Sequence, residues 1–181
     1  MNKYLRSLLI IDFFGTLSVG MIIPIYAIFV EKIGGDILDA SGTWAVFAMA
    51  SGILMYLIGN WEDKNKHYAK MMSFGYLISG FCFLGYLFVE TTMHLFILQM
   101  FLGIGVAIVA PSYDTLYSKY LKKGRYATQW SLWEAENMIV TAIAAIVGGL
   151  VVTYFGFEYL FILMAISSFV SFIISYLFLK K

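Results

Sequence analysis

The chain is poor in charge. Only 13% of its 181 residues are Asp, Glu, Lys or Arg, whereas 61% are hydrophobic and the mean hydropathy is +0.84. A water-soluble domain carries about twice that share of charge, so the bilayer is the solvent here. Cysteine is nearly absent: Cys82 stands alone, which excludes a disulfide or a thiolate metal site within one chain. There is no Gly-x-x-x-x-Gly-Lys-Ser/Thr loop, which excludes an ATP-driven pump within this chain. Neither Gly-x-Ser-x-Gly nor His-Glu-x-x-His occurs, and Tyr113-Asp114 has no Gly-x-Gly-Asp companion, so an intramembrane enzyme is not expected. No metal or cofactor is expected either. Strict alternation of apolar and polar residues is also missing, which argues against a membrane barrel.

What the chain does have is long apolar runs. Uncharged stretches at 13–30, 40–61, 71–89, 95–113, 137–157 and 159–179 each reach the length of about 18 residues that crosses hydrocarbon. They predict one all-α membrane domain over 1–181, with helices at about 4–30, 43–61, 68–89, 95–120, 126–154 and 157–179. With the N-terminus placed inside, eleven of the twelve Lys and Arg residues fall on the cytoplasmic side and only Lys32 falls outside. That bias predicts a multi-pass protein of the cell membrane with both termini cytoplasmic. The basic loops read as topology determinants that touch anionic lipid, and nothing in them points to nucleic acid.

The two prolines suggest internal order. Pro24 and Pro111 each begin a Pro-x-Tyr, at Tyr26 and Tyr113, after a glycine-bearing stretch. The pattern predicts two inverted three-helix repeats whose first helices are broken at proline, an arrangement found in transporters.

Ionisable groups at membrane depth are costly and default to a functional reading. Asp12, Asp114, Glu134 and Glu136 qualify, all in the first, fourth and fifth helices. The third and sixth helices are therefore expected to face lipid. Glu134 and Glu136 point to different faces of one helix. Of the two, Glu134 is expected at the cavity, where a carboxylate is a candidate proton carrier. The bland alternative is that Asp12 and Asp114 reach interfacial water or a lysine. Gln99 and Asn137 read as hydrogen-bonding glue, and Tyr26 and Tyr113 as candidate walls of an aromatic pocket. Ala144/Gly148 and Ala145/Gly149 allow close helix contact. Ser167, Ser171 and Ser175 give the sixth helix one polar face.

One stretch is more specific. GNWEDKNKHYAK, residues 59–70, lies between the second and third helices and reads as a tight cytoplasmic turn. Gly59, Asp63, Lys64 and His67 in it resemble the loop signature of the major facilitator superfamily, Gly-x-x-x-Asp-(Arg/Lys)-x-Gly-(Arg/Lys)-(Arg/Lys). Lys66 stands for the second glycine, and His67-Tyr68 for the basic pair. Pro24-Ile-Tyr followed by Ile33-Gly34-Gly35, Gly103-Ile-Gly105, and Gly148-Gly149 followed by Phe155-Gly156-Phe157 are similar to further parts of that family. Gln99 stands where the family often has a base, and Ala144-Ala145 where its antiporters carry Gly-Pro.

The resemblance implies half of a twelve-helix transporter fold, either a truncated N-terminal half or a natural half-size protein. It implies a secondary transporter of a small solute by alternating access, with proton or ion coupling, rebuilt as a homodimer of parallel chains. The first and fourth helices would line the path, and the second and fifth would form the seam. Asp63 would latch onto the start of the partner copy's fifth helix near Arg125, where free N–H groups and the helix dipole favour a carboxylate. The alternative is that Asp63 caps its own turn. A non-transporting scaffold, or a subunit of a hetero-oligomeric transporter, is the competing reading.

Overall fold

The computed structural model of the chain describes residues 2–178. Leu179, at the expected end of the sixth helix, and the Lys180-Lys181 pair lie outside the described residues. Six apolar helices make up the molecule: α1 (Lys3–Lys32), α2 (Ile37–Asn65), α3 (Tyr68–Phe88), α4 (Thr92–Tyr120), α5 (Tyr126–Phe155) and α6 (Phe157–Phe178). Among the described residues there is no strand.

The helix ends follow local chemistry. Asp36 and Asp39 form a reciprocal capping box of 2.9 and 3.1 Å, so α2 starts at Ile37, six residues before the expected start. At the other end α2 continues to Asn65, four residues past the expected end. Gly59, Asp63 and Lys64 are therefore helical, and the turn to α3 shrinks to Lys66 and His67. Lys66 closes α2 in the left-handed region with φ 56°. This is the position where the family signature carries glycine, and only glycine adopts that conformation freely. With 29 residues, α2 is about 44 Å long and stands out of a hydrocarbon core of about 30 Å.

Pro24 breaks α1 as expected. The first segment ends at Gly20, a 3₁₀ turn covers Ile23–Ile25, and a short helix resumes at Tyr26. Pro111 does not break α4, which runs unbroken from Thr92 to Tyr120, and its role as a helix break is corrected. A proline removes one backbone donor, a loss that packing on neighbouring helices makes tolerable at membrane depth. α4 has such neighbours on two sides: Gly103 rests on the α2 backbone at Phe47 and Ser51, and Gly105 faces Gly75 of α3.

The helices pack in the order α2, α4, α3, α6, α1, α5. Small residues make the joints. Gly20 of α1 meets Ala144 of α5, while Gly103 of α4 meets Ala50 of α2. The serine face of α6 is buried. Ser171 donates to the Ile11 carbonyl of α1 at 2.9 Å, and Ser168 to the Tyr76 carbonyl of α3 at 2.8 Å. α3 and α6, expected to face lipid, are the most enclosed spans, although each keeps an exposed apolar side at residues such as Phe81 and Ile166. α2 and α5 are the least enclosed. Two core clusters result. One holds Tyr26, Phe29, Tyr86 and Phe161, and the other, toward the basic end, holds Leu8, Tyr68, Tyr76, Tyr113 and Tyr117.

Candidate functional site

Between the two core clusters lies a cavity of about 300 Å³. It draws Asp12, Gly15 and Thr16 from α1, Tyr76, Ser79 and Phe83 from α3, Tyr113 and Asp114 from α4, and Trp133 from α5. Its lining mixes residues of both clusters, such as Phe83 and Leu102 from one and Tyr76 and Tyr113 from the other. The participation of α3 was not expected. Gly75 and Gly105 let α3 and α4 approach until a Cβ on Gly75 would lie 2.7 Å from the Gly105 carbonyl oxygen, which brings Tyr76 and Ser79 to the wall.

Two polar pairs face each other across the α1–α5 contact. Asp12 and Thr16 are four residues apart on α1, and Trp133 and Asn137 are four apart on α5, so each pair shares one helix face. The Trp133 indole donates to Asp12 Oδ2 at 2.7 Å, and the Asn137 amide donates to the same oxygen at 3.2 Å and to the Thr16 hydroxyl at 3.1 Å. A buried carboxylate requires such donors. Two donors fix one oxygen and orient the group, while Oδ1 accepts no hydrogen bond from the described residues. The second wall is Tyr113, only 3% exposed, stacked on Tyr117 at 5.8 Å and tilted on Trp133 at 5.9 Å. Its hydroxyl is buried without a hydrogen-bond partner among the described residues.

The candidate residues therefore separate into groups. Asp12, Tyr113 and Asp114 share the cavity. Tyr26 and Gln99 do not join them. They meet in the other cluster, where the Gln99 amide donates to the Tyr26 hydroxyl at 2.7 Å and that hydroxyl donates to Thr43 at 2.7 Å. One pocket around both Tyr26 and Tyr113 is thereby corrected to a polar joint at Tyr26 and a cavity at Tyr113. Glu134 is exposed and does not line the cavity. Its neighbour Glu136 is half-buried and interacts electrostatically with Asp12. Two residues separate them, a 200° turn on an ideal helix of about 3.6 residues per turn, and this puts Glu136 rather than Glu134 on the side of α1.

The basic end has its own contacts. Asp63 is exposed and accepts from the Tyr68 hydroxyl at 3.3 Å, and the Lys119 ammonium sits 4.5 Å from the Tyr68 ring centroid. Arg125 is the residue before α5 and offers no side-chain cap to it. With Lys119 and Lys122 it lines a cleft of about 830 Å³ that opens beside the start of α1. His67 precedes α3, also without capping it. The residue that sequence reasoning missed is Glu62. It is 1% exposed, and one oxygen accepts from the Ser112 hydroxyl of α4.

Six helices long and apolar enough to cross a membrane, four of which line a mostly apolar cavity that holds two carboxylates, define a helical membrane protein of the transporter class. The sequence model of the Major Facilitator Superfamily matches residues 8–181, and the chain belongs to that family. It is 25% identical over 179 residues to an uncharacterized MFS-type transporter of Methanocaldococcus jannaschii. The alignment covers 98% of this chain and 46% of that protein, so the chain spans about half the length of the curated relative it matches.

Proposed function

We propose that the chain is one six-helix half of a secondary transporter that moves a small solute by alternating access, with a second copy supplying the other half. One observation carries this reading: an oriented carboxylate, Asp12, opens into a cavity between two core clusters at membrane depth. Ionisable groups there mark solute or ion paths, and family membership supports the same reading. The match to less than half of a relative's length favours a function that needs a second half. On this reading that half is a second copy; as a second reading it is a half of different sequence.

The order of packing supports two inverted repeats, α1–α3 and α4–α6. Exchanging the triplets turns the α2–α4 contact into α5–α1 and the α4–α3 contact into α1–α6, which are the contacts present. The lysine and arginine bias supports a cell-membrane protein with both termini cytoplasmic. On this reading the least enclosed helices, α2 and α5, form the seam between halves, and Asp63 of one copy meets the start of α5 near Arg125 of the other. Asp12, with Asp114 beside it, is the candidate group for proton or ion coupling.

The test is the mass of the full chain in lipid nanodiscs, read together with solute flux in proteoliposomes. A mass of two copies, and a flux that falls about tenfold or more in Asp12→Asn, are the expected results. A one-copy mass would overturn the homodimer and turn attention to a co-purifying half. Flux unchanged by Asp12→Asn would remove Asp12 from the path.

A further inference from the structure

We infer that the solute taken by the cavity is a small apolar monocation, an organic ammonium. This deepens the transport reading above and rests on it. The cavity carries formal negative charge and no positive charge. Asp12 and Asp114 line it and interact through space, the half-buried Glu136 lies within electrostatic reach of Asp12, and no Lys, Arg or His is among its walls. The nearby cations, Lys119, Lys122 and Arg125, line a different cleft at the basic end. An anion entering the cavity would meet carboxylates with no cation among the lining residues, and like charges repel. A cation would meet the reverse.

The second observation is independent of charge. The Tyr113 hydroxyl is buried and has no hydrogen-bond partner among the described residues, and Asp12 Oδ1, which is not buried, accepts no hydrogen bond from them. Buried polar atoms are rarely left unpaired, so the Tyr113 hydroxyl fits a ligand or the water that accompanies it, while the open Asp12 Oδ1 is free to face the same ligand. The third observation is the wall itself. The rings of Tyr76, Phe83, Tyr113 and Trp133 surround the space together with aliphatic side chains such as Leu102 and Val106. Aromatic faces attract ammonium groups, most strongly where both are desolvated. Aliphatic walls reject strongly hydrated ions, which excludes a bare metal cation and favours one clothed in carbon. The volume, at the lower end of the range for ligand pockets, fits a small molecule.

The test uses three benzyl-type probes with the full chain in nanodiscs, titrated by calorimetry. They are benzyltrimethylammonium, the neutral N,N-dimethylbenzamide and the anionic benzylsulfonate. Saturable binding of the ammonium is expected, about tenfold or more tighter than the amide, with no binding of the sulfonate. Asp12→Asn keeps an oxygen for the Trp133 indole and should weaken the ammonium about tenfold, with the amide unchanged. Should that variant fail to fold, Asp114→Asn, whose carboxylate holds no hydrogen bond among the described residues, takes its place with the same expectation. Sulfonate or amide binding as tightly as the ammonium would overturn the inference, as would unchanged ammonium affinity in the folded variant. Ammonium binding without flux of any solute would overturn the transport reading alone. Flux of another solute without ammonium binding would overturn this inference alone.

Discussion

Glu62 sits at the residue-level junction of fold and chemistry. It occupies the α2–α4 contact, with one oxygen held by Ser112 and the other, Oε2, buried without a partner among the described residues. In the sequence it stands in a run of charges beside Asp63, and a turn would solvate both alike. The run is helical instead. Glu62 lies 11 residues, three turns, beyond the buried Ser51 and so falls on the same face, while Asp63 turns outward. The signal was present as a helical period and was masked by placing the end of α2 too early. Removing the Ser112 hydroxyl would leave the whole carboxyl group unpartnered. Ser112→Ala should destabilise the chain by about 1–3 kcal/mol, whereas Glu62→Gln keeps an acceptor for Ser112 and should melt no lower than the parent. Thermal unfolding in nanodiscs reads both, and equal midpoints for Ser112→Ala and the parent would mean that water already serves this group.

At the scale of elements, the sequence disclosed more of the fold than of the site. Six helices followed from the length and apolarity of the runs, because hydrocarbon forces backbone satisfaction within each segment. The break in α1 followed from Pro24 with Gly20 one turn before it. The continuity of α4 through Pro111 did not, since it depends on neighbours that no local pattern names. The same holds for the site. Asp12 could be named from its depth alone, but its partners Trp133 and Asn137 lie more than 120 residues away and become visible only once α5 is laid against α1. Adjacent glycines of α5 test that contact. A Cβ on Gly148 would collide with the Met21 carbonyl of the α1 break, whereas one on Gly149 meets nothing within 4 Å. Gly148→Ala should therefore cost about 1–3 kcal/mol through displaced backbone. Gly149→Ala should be neutral or gain up to about 1 kcal/mol from helix propensity. Unfolding midpoints that move together in the two variants would contradict this packing.

For the whole molecule, the distribution of exposed surface is the quantity that matters. α2 and α5 stand at opposite ends of the packing order, with no substantial contact between them among the described residues. Both present large apolar side chains outward, Ile53 and Leu57 on α2 and Ile143 and Ile146 on α5. Lipid or a second copy can cover such a surface, and cross-linking at the basic end tells the two apart. A parallel two-fold pair that joins α2 of one chain to α5 of the other brings the end of α2, at Asp63 and Lys64, beside Tyr126 of the partner. Within a single chain the two helices make no substantial contact among the described residues, each packing instead on α4 or α1. Cys82 is buried in α3 and the only cysteine, so Cys82→Ser gives a clean background. Copies carrying Lys64→Cys, mixed with copies carrying Tyr126→Cys, should form a cross-linked species of two chains under mild oxidation. A third set carrying Ile166→Cys on the outer side of α6 should not cross-link to either. Adding Asp63→Asn should reduce the yield of the Lys64–Tyr126 product, because in the proposed pairing the carboxylate's attraction to the partner's α5 N-terminus would hold the two sites together. Cross-linking through Ile166 in place of the expected pair would move the seam to α6 and leave Asp63 with the Tyr68 hydroxyl of its own chain as its partner.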